Sequence, residues 1–248
     1  MDHTNRFDGK GEIYAKARPK YSAALFDYLR NTLNIAEGSV FADIGAETGI
    51  FTEQLLRCGY RVLAVEPNGD MRRKAEERFS KSGGFISVNG SDRDFNLPDR
   101  SADCVTAAQS FHWFDAEAFR GECRRVLKPG GTAIIVYNFR DERAACAKAL
   151  AKLRHKYNSE FPGFSNGMSS ERCVDFFRGR CRVFRADNTQ IYDRQSYVAR
   201  VLSSSYSLKE NDGRYSEYIC EIKEIFDTLS KDGMITLPIE TVAYIGKT

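Results

Sequence analysis

The sequence predicts an α/β protein built on a doubly wound, mostly parallel sheet of seven strands, the last of them antiparallel. Three observations predict it. Short apolar runs alternate with amphipathic stretches through the first 140 residues, as in repeated strand-helix units. Glycine, asparagine or aspartate stands where each change of pattern calls for a turn or a cap. After Gly233 no helix-forming stretch precedes the final strand, so that strand returns antiparallel to its neighbours.

Val40 to Ile44 reads as the first strand and Gly45 to Gly49 as a tight turn. The next segment places Phe51, Leu55 and Leu56 on one helical face, and Gly59 stops it. Arg61 to Glu66 is the second strand, and Asn68 caps a helix running to about Phe79. Phe85 to Asn89 and Ala102 to Ala108 are the third and fourth strands. Asp115 opens a helix ending near Leu127, Pro129-Gly130-Gly131 makes a turn, and Thr132 to Tyr137 is an apolar fifth strand. A Pro/Gly/Ser-rich run from Phe161 to Ser170 reads as the nearest thing to a linker. Beyond it come a strand around Val183 to Tyr192, a helix with Tyr215, Ile219, Ile222, Phe226 and Leu229 on one face, and a last strand to Tyr244. Pro238 predicts a bulge or an edge at the start of that strand.

A chain of 248 residues, 42% hydrophobic and 29% charged, has the composition of an ordinary globular protein rather than a disordered one. Its 37 basic and 34 acidic side chains leave +3, too little to argue for nucleic acid. The polar start, and the absence of roughly 18 consecutive apolar residues anywhere, predict neither signal peptide nor membrane span. Seven scattered cysteines, never spaced as C-x-x-C, predict reduced thiols in a cytoplasm and no metal site. Arg178, Arg180, Arg182 and Arg185 form a basic run that reads best as a solvated face.

The turn Asp43-Ile44-Gly45-Ala46-Glu47-Thr48-Gly49 lies where a doubly wound sheet binds its ligand. Glu66 follows Gly49 by 17 residues, at the end of the second strand, where a carboxylate accepts both hydroxyls of a ribose. Together they predict a cofactor containing adenosine. A dinucleotide fingerprint needs three glycines, and here its positions hold Gly45, Glu47 and Ile50. Glu47 would repel a pyrophosphate. The pattern suits a ligand without phosphate.

These residues resemble the class I S-adenosylmethionine-dependent methyltransferases, with a Rossmann-like sheet, and within them the trans-aconitate methyltransferase-like group. The resemblance runs through Tyr14-Ala15-Lys16-Ala17-Arg18-Pro19-Lys20-Tyr21, then Gln109-Ser110-Phe111-His112-Trp113-Phe114-Asp115, then Leu127-Lys128-Pro129-Gly130-Gly131. It ends on Ser204-Ser205-Tyr206 and Tyr244-Ile245-Gly246. It implies that Asp43, Gly45, Glu47 and Gly49 surround the methionine part of S-adenosyl-L-methionine, that Glu66, with Pro67 beside it, holds the ribose, and that Ser91 and Asp92 read the adenine. Gln109 would lie beneath the sulfonium, and Tyr14 and Arg18 would fold over the cofactor. The chain departs from the family at Glu47, where a glycine is usual, and at Arg93, where glutamate is common.

The resemblance implies one methyltransferase domain with an amino-terminal lid at 1–38, a cofactor-binding core at 39–138, an acceptor-side insertion at 139–181 and a remainder completing the sheet at 182–248. It also implies a small-molecule acceptor, first of all a carboxylate. His112 is the candidate base should the acceptor be an alcohol, phenol or ammonium, and otherwise closes the pocket with Trp113. The alternatives are a protein that binds the cofactor or its demethylated product without turnover, and an NAD-dependent oxidoreductase.

Overall fold

The computed structural model describes residues 18–164, 168–204 and 206–248. Its main sheet has seven strands: β1 (Val40–Ile44), β2 (Arg61–Val65), β3 (Phe85–Val88), β4 (Ala102–Ala108), β5 (Leu127–Arg140), β6 (Cys181–Asp187) and β9 (Ile239–Gly246). They lie in the order β3-β2-β1-β4-β5-β9-β6, all parallel except β9, which runs antiparallel to both neighbours. The order reverses between β1 and β4, which opens a crevice at the carboxyl ends of those strands. β1 and β4 are largely buried on both faces because helices cover both sides of a parallel sheet.

On one face α1 (Ala23–Asn31) and α2 (Ile50–Arg57) bury Leu25, Leu29, Phe51 and Leu55 against Phe41 and Val62. On the other, α4 (Ala116–Val126) and α6 (Ser170–Phe176) bury Phe119, Cys123, Cys173 and Phe176 against Ala42, Val105 and Ile135. Side-chain caps fix the starts of several helices. Asn68 accepts from two amides of α3 (Gly69–Phe79), and Asp115 does the same for α4. A third cluster joins α5 (Ala145–Tyr157), α7 (Arg194–Leu202) and α8 (Tyr215–Leu229) through Leu150, Tyr197, Tyr218 and Ile222.

Four expectations need correction. Pro129-Gly130-Gly131 does not separate α4 from the fifth strand; β5 begins at Leu127 and carries these residues as a bulge where its register against β4 shifts. The strand expected near Val183 to Tyr192 is two. β6 ends at Asp187, whose carboxylate accepts from Thr189, and β7 (Gln190–Tyr192) pairs instead with β8 (Ile235–Leu237). The helix ending before Gly233 joins the third cluster instead of completing the sheet, and α7 is an element the sequence reading missed. The run from Phe161 does not begin as a linker: Phe161 is 3% exposed and packs edge-on against His155 and Phe164. Pro238 falls at the break between β8 and β9, where a discontinuity was expected. Among the described residues, no helix is long and apolar enough to cross a membrane.

Candidate functional site

Two buried carboxylates stand at the carboxyl ends of β1 and β2. Asp43 is 1% exposed, and its two oxygens accept from Thr52 Oγ1 at 2.8 Å and Thr106 Oγ1 at 2.9 Å. Burial pushes its carboxyl up to about 6, against the pull of the two hydroxyls, and the negative charge of Glu47 adds to the rise. Glu66 accepts the Glu47 N–H at 2.9 Å on one oxygen and the Asn68 N–H at 2.8 Å on the other. Burial pushes it up to about 7 in spite of those two bonds. Glu66 is therefore bonded directly to the turn that follows β1.

That turn holds three positive φ angles: +69° at Gly45, +51° at Glu47 and +80° at Gly49. The glycines serve packing more than ligand approach. A Cβ on Gly45 would stand 2.7 Å from Ser110 Cβ, and one on Gly49 would collide with the Phe79 ring. Glu47 adopts the left-handed conformation that a glycine takes without strain, so the departure from the family pattern leaves the course of the backbone intact. Glu47→Gly is expected to stabilise the protein by about 0.5–1 kcal/mol, the left-handed strain relieved less the extra entropy of glycine when unfolded. Urea denaturation checks this, and a loss of stability would show that the side chain holds the turn.

The two raised carboxyls also set a pH dependence. Between about pH 4 and pH 7 the unfolded chain gives up protons that Asp43 and Glu66 still hold in the fold. Their contribution to stability is therefore complete below about pH 4 and lost as pH rises through 6 and 7, on the order of 3 kcal/mol for each. Denaturation midpoints of the ligand-free protein and of Asp43→Asn/Glu66→Gln across that range check it; equal slopes would refute it.

A cavity of about 170 Å³ opens beside the turn, at the ends of β1, β4 and β5. Of the predicted residues, Arg18, Asp43, Gly45, Glu47, Gln109 and His112 line it. Gly49, Glu66, Pro67, Ser91 and Asp92 do not, and Tyr14 falls outside the described residues. Asp92 accepts the Asp115 N–H at 2.8 Å and so braces the start of α4. The Ser91 N–H donates to the Asp94 carbonyl. Gln109 has φ +58°, its N–H bonded to the Val136 carbonyl and its Oε1 accepting from Asn138 N. The segment entering α1 is tied down: Tyr21 exchanges two hydrogen bonds with the Gln54 side chain, and the Lys20 carbonyl accepts from Asn138 and Asn188.

The cavity is also lined by arginines, of which the sequence reading named only Arg18. Arg140, at the end of β5, and Arg154, on α5, line the cavity together with Arg18 and Arg200. Arg154 is 4% exposed, and its Nε has no hydrogen-bond partner, nor has the buried Nη1 of Arg140. Neither forms an ion pair with a carboxylate among the described residues. Arg140 lies 4.2 Å and Arg154 5.3 Å from the centre of the same Phe164 ring, and Arg154 is 5.3 Å from Phe161. Burial pulls each guanidinium down to about 10, and mutual repulsion among the arginines adds to that. A signal was available: Arg154 interrupts the apolar stripe of Cys146, Leu150, Leu153 and Tyr157 on α5. The basic run that did draw attention, Arg178 to Arg185, is exposed and lines no part of the cavity.

A family model described as "Methyltransferase domain" matches residues 42–135. An uncharacterized methyltransferase-like protein of Schizosaccharomyces pombe is 32% identical over 235 residues, 93% of this chain and 91% of that one. An uncharacterized methyltransferase of Mycobacterium tuberculosis is 34% identical over 56% of this chain, a match that spans 55% of its own length. Among solved structures, an Anaeromyxobacter dehalogenans protein assigned as a type II methyltransferase superposes with a TM-score of 0.68 at 21% identity, covering 93% of this chain and 97% of that one. A SAM dependent methyltransferase from Aquifex aeolicus gives 0.54 at 14%, covering 95% and 97%. The two structures share the fold.

Proposed function

Because the chain belongs to the methyltransferase family and takes S-adenosyl-L-methionine as its methyl donor, we propose that the acceptor is a small carboxylate bound by the buried arginines of the cavity. The observation that carries this is the charge lining the cavity: besides the carboxylates of Asp43, Glu47 and Glu142 it holds Arg140 and Arg154, which form no ion pair with a carboxylate among the described residues. A buried guanidinium without a counter-ion is costly, and an anionic ligand offsets the cost.

The residues fit the cofactor. Glu66 accepts the ribose hydroxyls with the lone pairs its two amide bonds leave over. Asp43 and Glu47 supply negative potential for a cationic ammonium and sulfonium, Gly45 and Gly49 shape the turn, and Gln109 lines the wall beyond. Pro67, Ser91 and Asp92, outside the cavity, are assigned to the adenosine part of the cofactor. When bound, the cofactor supplies a methyl group already activated on sulfur. The chain then has only to orient the acceptor and exclude water, because a carboxylate needs no base. Arg140 and Arg154 hold and align it, Arg18 reaches the same cavity from the lid of residues 1–38, and Phe161 and Phe164 of the acceptor-side segment 139–181 close the wall. Family membership displaces the oxidoreductase alternative.

Incubation with methyl-labelled cofactor and a panel of di- and tricarboxylates, amines and phenols tests the reading. Label is expected on carboxylates, as an ester that base hydrolyses to labelled methanol. Label on amines or phenols alone would reject the carboxylate.

A further inference from the structure

His112 follows β4 in a short 3₁₀ turn, Phe111–Trp113, and lines the cavity next to Trp113. Tyr137, on β5, meets it twice. The His112 backbone N–H donates to the Tyr137 hydroxyl at 2.9 Å, and His112 Nδ1 lies 3.2 Å from the same oxygen. Tyr137 is 4% exposed, and burial holds its phenol well above its ordinary value, so the hydroxyl keeps its proton. That proton needs an acceptor. The backbone N–H occupies one lone pair of the oxygen, and Nδ1 is the acceptor within reach. Were Nδ1 to carry a hydrogen instead, two donors would converge on the phenol oxygen and a buried hydroxyl proton would be left without a partner.

We propose that Tyr137 is a positioning residue that fixes His112 in the tautomer protonated at Nε2, so that His112 gives the acceptor carboxylate a hydrogen-bond donor and offers no nitrogen to take a proton. The donor role rests on the function proposed above; the tautomer rests on the Tyr137 contact alone. A phenol, alcohol or ammonium acceptor would need a base at this place, and the Tyr137 hydroxyl and the Nε2 proton together remove both imidazole lone pairs from that service. The cavity thereby favours an acceptor that arrives already deprotonated.

Nitrogen-15 NMR of histidine-labelled protein tests the tautomer without an acceptor. The chain has three histidines, and the spectrum of His112→Gln identifies the His112 signals by their loss. The wild type is expected to show a protonated Nε2 and a pyridine-like Nδ1, and Tyr137→Phe to show both tautomers. A wild type protonated at Nδ1, or a Tyr137→Phe spectrum identical to it, would overturn the proposal; should Tyr137→Phe not fold, the wild-type spectrum decides.

The donor role is read in kinetics. His112→Gln, which keeps an N–H, is expected to hold kcat/KM for the carboxylate within about tenfold, and His112→Leu to lose about 10- to 150-fold, the worth of one hydrogen bond to a charged group. Equal losses in both variants would remove the donor role. Failure of the wild type to methylate any carboxylate, beside the expected spectrum, would instead sink the acceptor reading and leave the tautomer standing.

Discussion

Arg154→Met is expected to lower kcat/KM for the acceptor by about 100-fold or more while raising the melting temperature of the ligand-free protein. Truncating one partner of a buried, hydrogen-bonded charge pair costs about 2–5 kcal/mol, and Arg154 stands beside Arg140 with its Nε waiting for an oxygen. Stability runs the other way. Burial that pulls the guanidinium down to about 10 is a penalty in the fold, and methionine fills much of the same apolar space on α5 without it. The lost contacts with the Phe161 and Phe164 rings offset about 1 kcal/mol of that gain, and the remainder amounts to a few degrees. Cofactor affinity should stay within about threefold, because Arg154 is assigned to the acceptor and Asp43 and Glu47 to the cofactor. Calorimetry, scanning calorimetry and steady-state kinetics on one preparation check all three. A lower melting temperature with activity intact would make Arg154 a structural residue and remove the main support for an anionic acceptor.

Glu66→Gln is expected to weaken binding of both S-adenosylmethionine and its demethylated product by about 100-fold or more. Two hydroxyl bonds to a carboxylate are worth about 1.5–3 kcal/mol each, and an amide replaces one acceptor oxygen with a donor. The donor also meets a backbone N–H, since Glu47 and Asn68 each point an amide at a Glu66 oxygen. The turn after β1 would loosen together with the ribose contact. Titration calorimetry at pH 8, above the range in which Glu66 gains its proton, reads the affinity. A dissociation constant within threefold of the wild type would place the ribose elsewhere.

Much of the sheet was legible because each of its signals is local. Gly45, Asn68 and Asp115 stand one or two residues from the elements they start or stop, and the apolar runs of β1, β4 and β5 need only their own composition. Glu66 was singled out because strand, turn and spacing agree within some 20 residues. The basic lining was not, because it is assembled from Arg18, Arg140, Arg154 and Arg200, and nothing local says that they share a cavity. Local charge density does not locate it either: Arg178 to Arg185, read as a solvated face, are dense and exposed, whereas the buried arginines are isolated in the sequence. Tyr137 was read only as the end of an apolar strand, since its hydroxyl acquires meaning when β5 comes to lie beside β4 and the turn after it.

The mixed charge lining the cavity has a kinetic corollary. With the proposed carboxylate acceptor, methyl transfer cancels the sulfonium's positive charge against one carboxylate's negative charge, so the electrostatic grip that draws the reactants in weakens once they have reacted. On that reading each cycle lowers the charge held in the pocket, and an accumulating ester, one negative charge poorer, competes less well than fresh acid for the same guanidinium groups.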